Sequence, residues 1–310
     1  MTITDENRLR LAELPEPSPQ EGEVLVDVVA AGVNRADLAQ VAGGYPPPPG
    51  ASELPGLEIS GRRRDTGEEV VALLAGGGYA EVVAVPEELL LPAPAEVDLV
   101  DAAGVVEAAA TVVSNLLIEA RMTAGETLLV HGASGGIGSF AIQLAHRLGV
   151  RVLAVVGSEP AARAVRELGA DEVLNRREDE LLPTVRDLGG ADVVLDLVGG
   201  PILSSNVRLL RENGRLVVIG LLGGSRGELP LGELMGKRAR VIGTTLRSRP
   251  VADKHEILTR TREVVWPMLA DGRIRVPVQA RYDLAESAEA HDVLRQGGHL
   301  GKVVLQVADA

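Results

Sequence analysis

Between residues 126 and 246 the chain alternates short apolar runs with stretches whose apolar positions recur every three or four residues. The runs fall at 127–131, 150–156, 191–197, 215–221 and 241–246, and the helical stretches at 137–148, 160–168, 181–188 and 201–211. Apolar runs of this length, bounded by turn residues, predict strands buried on both faces. Their regular alternation with helices predicts a parallel sheet covered on both sides. Glu159-Pro160 suits a helix start, with proline in the first turn. The first 105 residues read differently, as short strands and loops. The segment 23–29 alternates in part, and 70–74 and 80–85 are further strands around Gly76-Gly77-Gly78. Pro46 to Pro49 make 43–50 a stiff, exposed loop that is neither helix nor central strand. The stretch 101–118 is small, apolar and helical in spacing. Beyond Pro250 the pattern predicts a long helix to 269, a strand at 276–280, a helix at 285–295 and a last strand at 302–307, which return to the first domain. The predicted division is therefore 1–104, 105–247 and 248–310. The fold class is α/β, with a doubly wound parallel sheet inserted in a discontinuous, mainly β domain.

Composition narrows the picture. A formal net charge of -13 repels phosphate backbones and argues against a nucleic-acid partner. The short basic runs Arg62-Arg63-Arg64 and 237–240 read as solvated surface. There is no cysteine, so disulfides, thiolate nucleophiles and sulfur-ligated zinc are excluded. No apolar run reaches the roughly 18 residues that span a bilayer, and the mixed charges of residues 1–11 give no export signal, so no membrane association and a cytoplasmic protein are expected. With one Phe, one Trp and three Tyr, the core is expected to be aliphatic, and Tyr45 beside a Gly/Pro loop stands out.

The strongest chemical signal is the segment from Leu128 through His131-Gly132-Ala133-Ser134-Gly135-Gly136-Ile137-Gly138. Aligned with G-x-G-x-x-G, it places Ala133, Gly135 and Gly138 at the three fixed positions. Gly135 lets backbone approach a pyrophosphate, Gly138 lets helix pack on strand, and the helix N-terminus offers free N–H groups. The bare motif is weak; a strand before it and a helix and second strand after it make it a Rossmann turn. About 20 residues on, NAD-binding chains carry an acidic residue for the ribose hydroxyls. Here the strand ends Val155-Val156-Gly157-Ser158. A missing carboxylate leaves room for a 2′-phosphate, with Ser158 as donor and Arg163 or Arg176 as cation. Glu159 opposes that reading if it faces inward. The balance points to NADPH.

On these residues the chain resembles the zinc-free quinone oxidoreductases of the medium-chain dehydrogenase/reductase superfamily, the zeta-crystallin-like branch. The resemblance rests on 125–143, Asn34-Arg35-Ala36-Asp37-Leu38, Tyr45-Pro46-Pro47-Pro48, Gly56-Leu57-Glu58, 195–200, 220–224, Leu246-Arg247-Ser248-Arg249 and Gly301-Lys302-Val303-Val304. It implies a Rossmann sheet inserted in a discontinuous GroES-like catalytic domain. It also implies that Asn34 and Thr111 lie near the nicotinamide and that Ser134, Gly135, Gly136 and Ile137 hold the pyrophosphate. Gly157, Ser158 and Arg176 would surround the adenosine phosphate, and Leu221, Leu222, Thr245 and Leu246 would flank the nicotinamide ribose. Lys302 would complete the site, and Tyr45 would border the substrate. Relatives are commonly dimers through the Rossmann edge strand, here 241–246. The chain departs from the family at His146, at Pro160, at Arg176 (commonly Tyr) and in a short 61–70 hairpin.

The zinc-dependent cousins carry cysteine and histidine where this chain has Asn34 and Leu57, and none of its five histidines joins a ligand cluster. Glu58 reads as a structural hydrogen-bonding carboxylate. A quinone or conjugated enone is already electrophilic, so hydride transfer needs positioning more than a Lewis acid. Asn34 and Tyr45 are the candidates to hydrogen-bond a developing oxyanion, with water supplying the proton. Three readings stay open: a quinone reductase, an enone, 2-alkenal or enoyl-thioester reductase, and a cofactor-binding structural protein without turnover.

Overall fold

The computed structural model describes residues 1–308, so the last two positions of the expected 248–310 segment lie outside the described residues. The chain forms two compact units, 1–110 with 246–310, and 111–245.

The first unit opens with a small antiparallel ribbon, β1 (Thr2–Ile3) and β2 (Leu9–Arg10). The partly alternating run at 23 is longer than the pattern predicts. As β3 (Glu23–Val33) it is buried at 26 and from 28 to 33, and it pairs on both sides. It leads into the helix α1 (Arg35–Val41). β4 (Glu58–Arg63) was not predicted, because Ser60, Gly61 and two arginines hide it. It forms between β3 and β5 (Glu69–Leu73), with β6 (Val82–Pro86) and β7 (Leu90–Pro92) following. The arginines of this hairpin pair with Glu69, Asp65, Glu87, Asp27 and Glu16 at the surface.

The predicted helix at 101–118 is three pieces: α2 (Leu99–Ala102), α3 (Val106–Val112) and a π-helical turn, Val113–Glu119. Contrary to the sequence reading, the run Leu99–Glu119 is long and apolar enough by composition to cross a membrane. Its 18-residue apolar window is 78% buried inside the protein, which accounts for the composition.

The second unit is a six-stranded parallel sheet built from β8 (Thr127–His131), α4 (Gly136–Arg147), β9 (Arg151–Val156), α5 (Glu159–Glu167), β10 (Glu172–Asn175), α6 (Leu181–Asp187), β11 (Ala191–Asp196), α7 (Leu203–Leu209), β12 (Leu210–Val218), α8 (Leu231–Gly236) and β13 (Arg240–Gly243). The order β10-β9-β8-β11-β12-β13 is the doubly wound order 3-2-1-4-5-6. Leu129, Leu153, Val194 and Leu216 are fully buried in its core. β10 escaped the sequence reading, since four residues carry too little periodicity. β12 starts and stops earlier than the predicted 215–221. After Val218 the backbone turns back on β11, with Ile219 and Gly220 N–H donating to the Asp196 carbonyl and Gly223 N–H to that of Val198.

The chain then returns to the first unit as α9 (Val251–Ala270), β14 (Val278–Asp283), α10 (Ser287–Gln296) and β15 (Lys302–Gln306). The larger sheet runs β14-β15-β3-β4-β5-β7, with β6 on β3. Its core is aliphatic, as expected, with one exception: the Tyr79 ring is fully buried in it.

Candidate active site

In the second unit β8 runs into the turn at Gly132 (φ 64°), and α4 begins at Gly136 with Gly135 at its N-cap and no side chain capping it. The first-turn N–H groups are left to a ligand. A Cβ on Gly138 would lie 2.5 Å from the Gly132 carbonyl oxygen and 2.6 Å from Ala133 Cα, so only glycine allows this approach of helix to turn. The turn rests on a buried network that the sequence did not disclose. His131 Nε2 lies 2.8 Å from Asn206 Oδ1, and Asn206 Nδ2 donates to Asp196 Oδ2 at 3.1 Å. Asp196 Oδ1 accepts the Val198 and Gly199 N–H groups. Burial lowers the His131 pKa, so the neutral ring donates from Nε2 to the amide oxygen, because Asn206 spends its N–H on Asp196. His131 thus ties the glycine turn to the end of β11.

At the end of β9 the structure brings Gly157, Ser158 and Arg176 together. A Cβ on Gly157 would meet the Arg176 guanidinium at 3.2 Å, and the Arg176 N–H donates to the Val156 carbonyl. Ser158 Oγ caps α5, accepting the Ala161 N–H at 3.4 Å. Of the two candidate arginines, Arg163 lies 3.7 Å from Glu159 and is largely exposed. Glu159 also pairs with Arg166, so its charge is met on the helix surface. Thr111 is buried, and its carbonyl accepts Asn115 Nδ2 at 2.8 Å; Asn115 Oδ1 accepts Thr244 Oγ1 at 2.6 Å. Asn115 sits on the π-helical turn, a distortion that often marks function, and nothing in the sequence singled it out. Leu221 and Leu222 are exposed on the loop after β12, at 57% and 56%. Thr245 is exposed as well, and Leu246 is half-buried.

In the first unit Asn34, Glu58 and Lys302 form a closed buried triad. Lys302 Nζ lies 2.6 Å from Asn34 Oδ1, 2.6 Å from Glu58 Oε1 and 3.2 Å from the Val33 carbonyl. Asn34 Nδ2 donates to Glu58 Oε1 at 2.9 Å, and Glu58 Oε2 accepts the Glu107 N–H. Gly32 and Gly104 leave the room: a Cβ on Gly32 would strike the Glu58 carboxylate, and one on Gly104 would press the Lys302 stem at 3.2 Å. Glu58 is thus the structural carboxylate expected of it. Tyr45 is half-buried, with the Arg247 guanidinium 5.1 Å above its ring centroid.

A second buried chain of polar groups lies beside the triad. Asp37 accepts the Asn34 and Gly56 N–H groups and the Tyr79 hydroxyl, and Tyr79 Oη lies 3.1 Å from His291 Nε2. Burial pushes the Asp37 carboxyl up to about 6 and the His291 imidazole down to about 4. The signs oppose. Native Asp37 binds its proton before the unfolded chain does, so lowering the pH from about 6 to 4 stabilises the fold. The unfolded chain protonates His291 first, so stability falls as the pH drops from about 6.5 to 4. Asp37→Asn removes the compensating gain. Urea unfolding of this variant is expected to lose up to about 3 kcal/mol more than the parent across that window, at about 1.4 kcal/mol per pKa unit. Parallel pH profiles would refute the assignment.

Residues 136–261 match the family described as zinc-binding dehydrogenase, and residues 20–95 the alcohol dehydrogenase GroES-like domain. The quinone oxidoreductase of Lama guanicoe is 32% identical over 95% of this chain and 92% of its own. The chain belongs to the quinone oxidoreductase family. It is an oxidoreductase with the medium-chain dehydrogenase/reductase fold. The crystal structure of Escherichia coli quinone oxidoreductase complexed with NADPH superposes with a TM-score of 0.85 at 28% identity, covering 96% of this chain and 95% of that one. The Thermus thermophilus quinone oxidoreductase, also crystallised in complex with NADPH, gives 0.83 at 31% identity over 97% and 96%.

One part of the family description does not fit this member of the quinone oxidoreductases. Zinc takes imidazole, thiolate or carboxylate donors in a tetrahedron. The positions that the family resemblance sets against zinc ligands hold the Asn34 amide and Leu57. Glu58 is already met by the Lys302 ammonium, a cation of the chain's own. Among the described residues no group of three His, Asp or Glu side chains is placed to hold a metal. The two-unit glycine-turn architecture, by contrast, is what an NADPH-binding quinone oxidoreductase uses.

Proposed function

We propose that the protein catalyses NADPH-dependent reduction of a quinone without a metal ion. The observation that carries the reading is the Arg176 guanidinium lying against Gly157, where β9 ends. A carboxylate at that point holds a ribose 2′-hydroxyl; here the Arg176 guanidinium lies against Gly157 instead, and the neighbouring Ser158 supplies a hydroxyl for a 2′-phosphate. The relatives crystallised with NADPH support the same choice.

Bound NADPH supplies a hydride from its nicotinamide ring. Ser134, Gly135, Gly136 and Ile137 receive the pyrophosphate on the N-terminus of α4. Gly157, Ser158 and Arg176 hold the adenosine phosphate. In the second unit Thr111, Leu221, Leu222 and Thr245 hold the nicotinamide half. Tyr45, and the second amide hydrogen of Asn34, whose contact with the Gly32 carbonyl is long at 3.5 Å, offer hydrogen bonds to the acceptor oxygen that gains charge. Lys302 and Glu58 hold the Asn34 amide in one orientation, and water delivers the proton. A quinone, already electrophilic, asks no more of the protein than this positioning.

Loss of reduced-cofactor absorbance with a small para-quinone tests the reading, beside a 2-alkenal and an enoyl thioester. Turnover of the quinone is expected. Turnover of the others alone would move the substrate class, and NADPH binding with no turnover at all would make the protein a cofactor binder. Arg176→Ala is expected to weaken NADPH binding about tenfold or more and leave NADH unchanged, since a hydrogen bond to a charged group is worth about 1.5–3 kcal/mol. An equal loss for both cofactors in a fluorescence titration would count against the phosphate contact. We also infer a homodimer through β13, one of the two outer strands of the six-stranded sheet, whose side chains are largely exposed. Light scattering at the monomer mass would exclude it.

A further inference from the structure

Two buried cations of the first unit have no carboxylate partner. Arg247 is 5% exposed, and its guanidinium donates to three neutral acceptors: the Ala75 carbonyl at 2.7 Å, the Tyr45 carbonyl at 3.0 Å and Gln40 Oε1 at 2.6 Å. Its fork has five N–H groups, so two remain. Lys254 is 3% exposed, and its ammonium makes no hydrogen bond or ion pair among the described residues. Buried charges are otherwise paired, because desolvation without a counter-charge is costly. The two cations do not relieve each other: burial and the charge of Arg247 both lower the Lys254 pKa.

Both side chains line one cavity of about 1480 Å³, which lies wholly within the first unit. Lys254 stands in the first turn of α9, a 20-residue helix whose N-cap is Pro250 and which no side chain caps. Helical side chains lean toward the N-terminus, so the Lys254 stem runs back over that turn, where free N–H groups and the positive end of the helix dipole already favour an anion. The cavity also has carboxylates on its wall, among them Glu81 and Asp283. None bonds either cation; the Asp283 side chain is engaged in the capping box ahead of α10.

We propose that this cavity is a binding site for a phosphate group, held by Lys254, the free N–H groups of Arg247 and the first turn of α9. Two cations and a helix N-terminus match a dianion better than a single carboxylate. The site is distinct from the adenosine-phosphate pocket at Arg176, which belongs to the second unit, and it does not depend on the quinone reading.

The test is thermal unfolding of the full chain in inorganic phosphate against sodium chloride of equal ionic strength. Phosphate is expected to raise the melting temperature of the parent and of Arg176→Ala. Lys254→Met should need at least about tenfold more phosphate for the same rise. Lys254→Gln, which keeps a polar head without the charge, serves if the Met variant does not fold, and the same loss is expected. A sugar phosphate that acts at lower concentration than the free ion would assign the site to a phosphate monoester, and inorganic phosphate acting alone would assign it to the ion; both support the site. No rise in the parent, a rise undiminished in the Lys254 variants, or a rise lost equally in Arg176→Ala would overturn it.

Discussion

Lys302→Met is expected to cost the first unit about 3–5 kcal/mol, the range for leaving one member of a buried ion pair alone. Glu58 has no exposed surface and Lys302 almost none. Removing the ammonium leaves Glu58 Oε1 with only Asn34 Nδ2 and Oε2 with only the Glu107 N–H, and it deprives Asn34 Oδ1 of its donor. The loss therefore reflects the charge left behind more than the worth of the pair. Glu58→Gln added to Lys302→Met should restore much of it, because it removes the buried charge: the amide oxygen can keep the Glu107 N–H, and the amide NH2 can donate to an Asn34 Oδ1 turned towards it. Trp266 reports on this unit, since it lies on α9 with its indole N–H on the Pro92 carbonyl. Urea unfolding followed by its fluorescence measures the cycle. A single-variant loss below about 1 kcal/mol, or a double variant no better than the single, would show that the triad is not a charge-balanced unit.

Gly138→Val is expected to weaken NADPH binding by about 100-fold or more, close to 3 kcal/mol. The added Cβ would stand 2.5 Å from a carbonyl oxygen and 2.6–2.7 Å from Ala133 backbone atoms. No flexible side chain is there to give way, so the turn and the start of α4 must separate. The N–H groups proposed to receive the pyrophosphate move with them. Gly232→Ala, in α8, is the control: nothing lies within 4 Å of its added Cβ, and replacing a helical glycine stabilises by about 0.5–1 kcal/mol without touching the cofactor. If Gly138→Val titrates with NADPH like the control, the close approach does not govern binding.

Sequence alone carried the β8–turn–α4–β9 unit, because glycine chemistry and apolar period act over a few neighbouring residues. It carried the choice of NADPH almost as far, through the missing carboxylate after Val156; there the residues by themselves leave Arg163 and Arg176 open, and only the family resemblance favours Arg176. That choice depends on which arginine finds a nearer partner: Glu159 engages the first, while β10 pairing on β9 delivers the second to Gly157. β4 and β10 were illegible for a related reason. Their residues are strands only because neighbours on both sides, or on one, supply the ladder.

What the sequence by itself determined is the α/β class, the glycine turn, the aliphatic core and the absence of sulfur chemistry. Each is a matter of composition or of spacing within one element. Tertiary structure alone decided how the buried polar groups are satisfied. Lys302 meets Asn34 across 268 positions and Glu58 across 244; His131 reaches Asn206 across 75; Lys254 and Arg247 are left facing a cavity with no carboxylate bonded to either. A buried charge demands a partner wherever the fold can bring one, and no local pattern records which distant residue that will be.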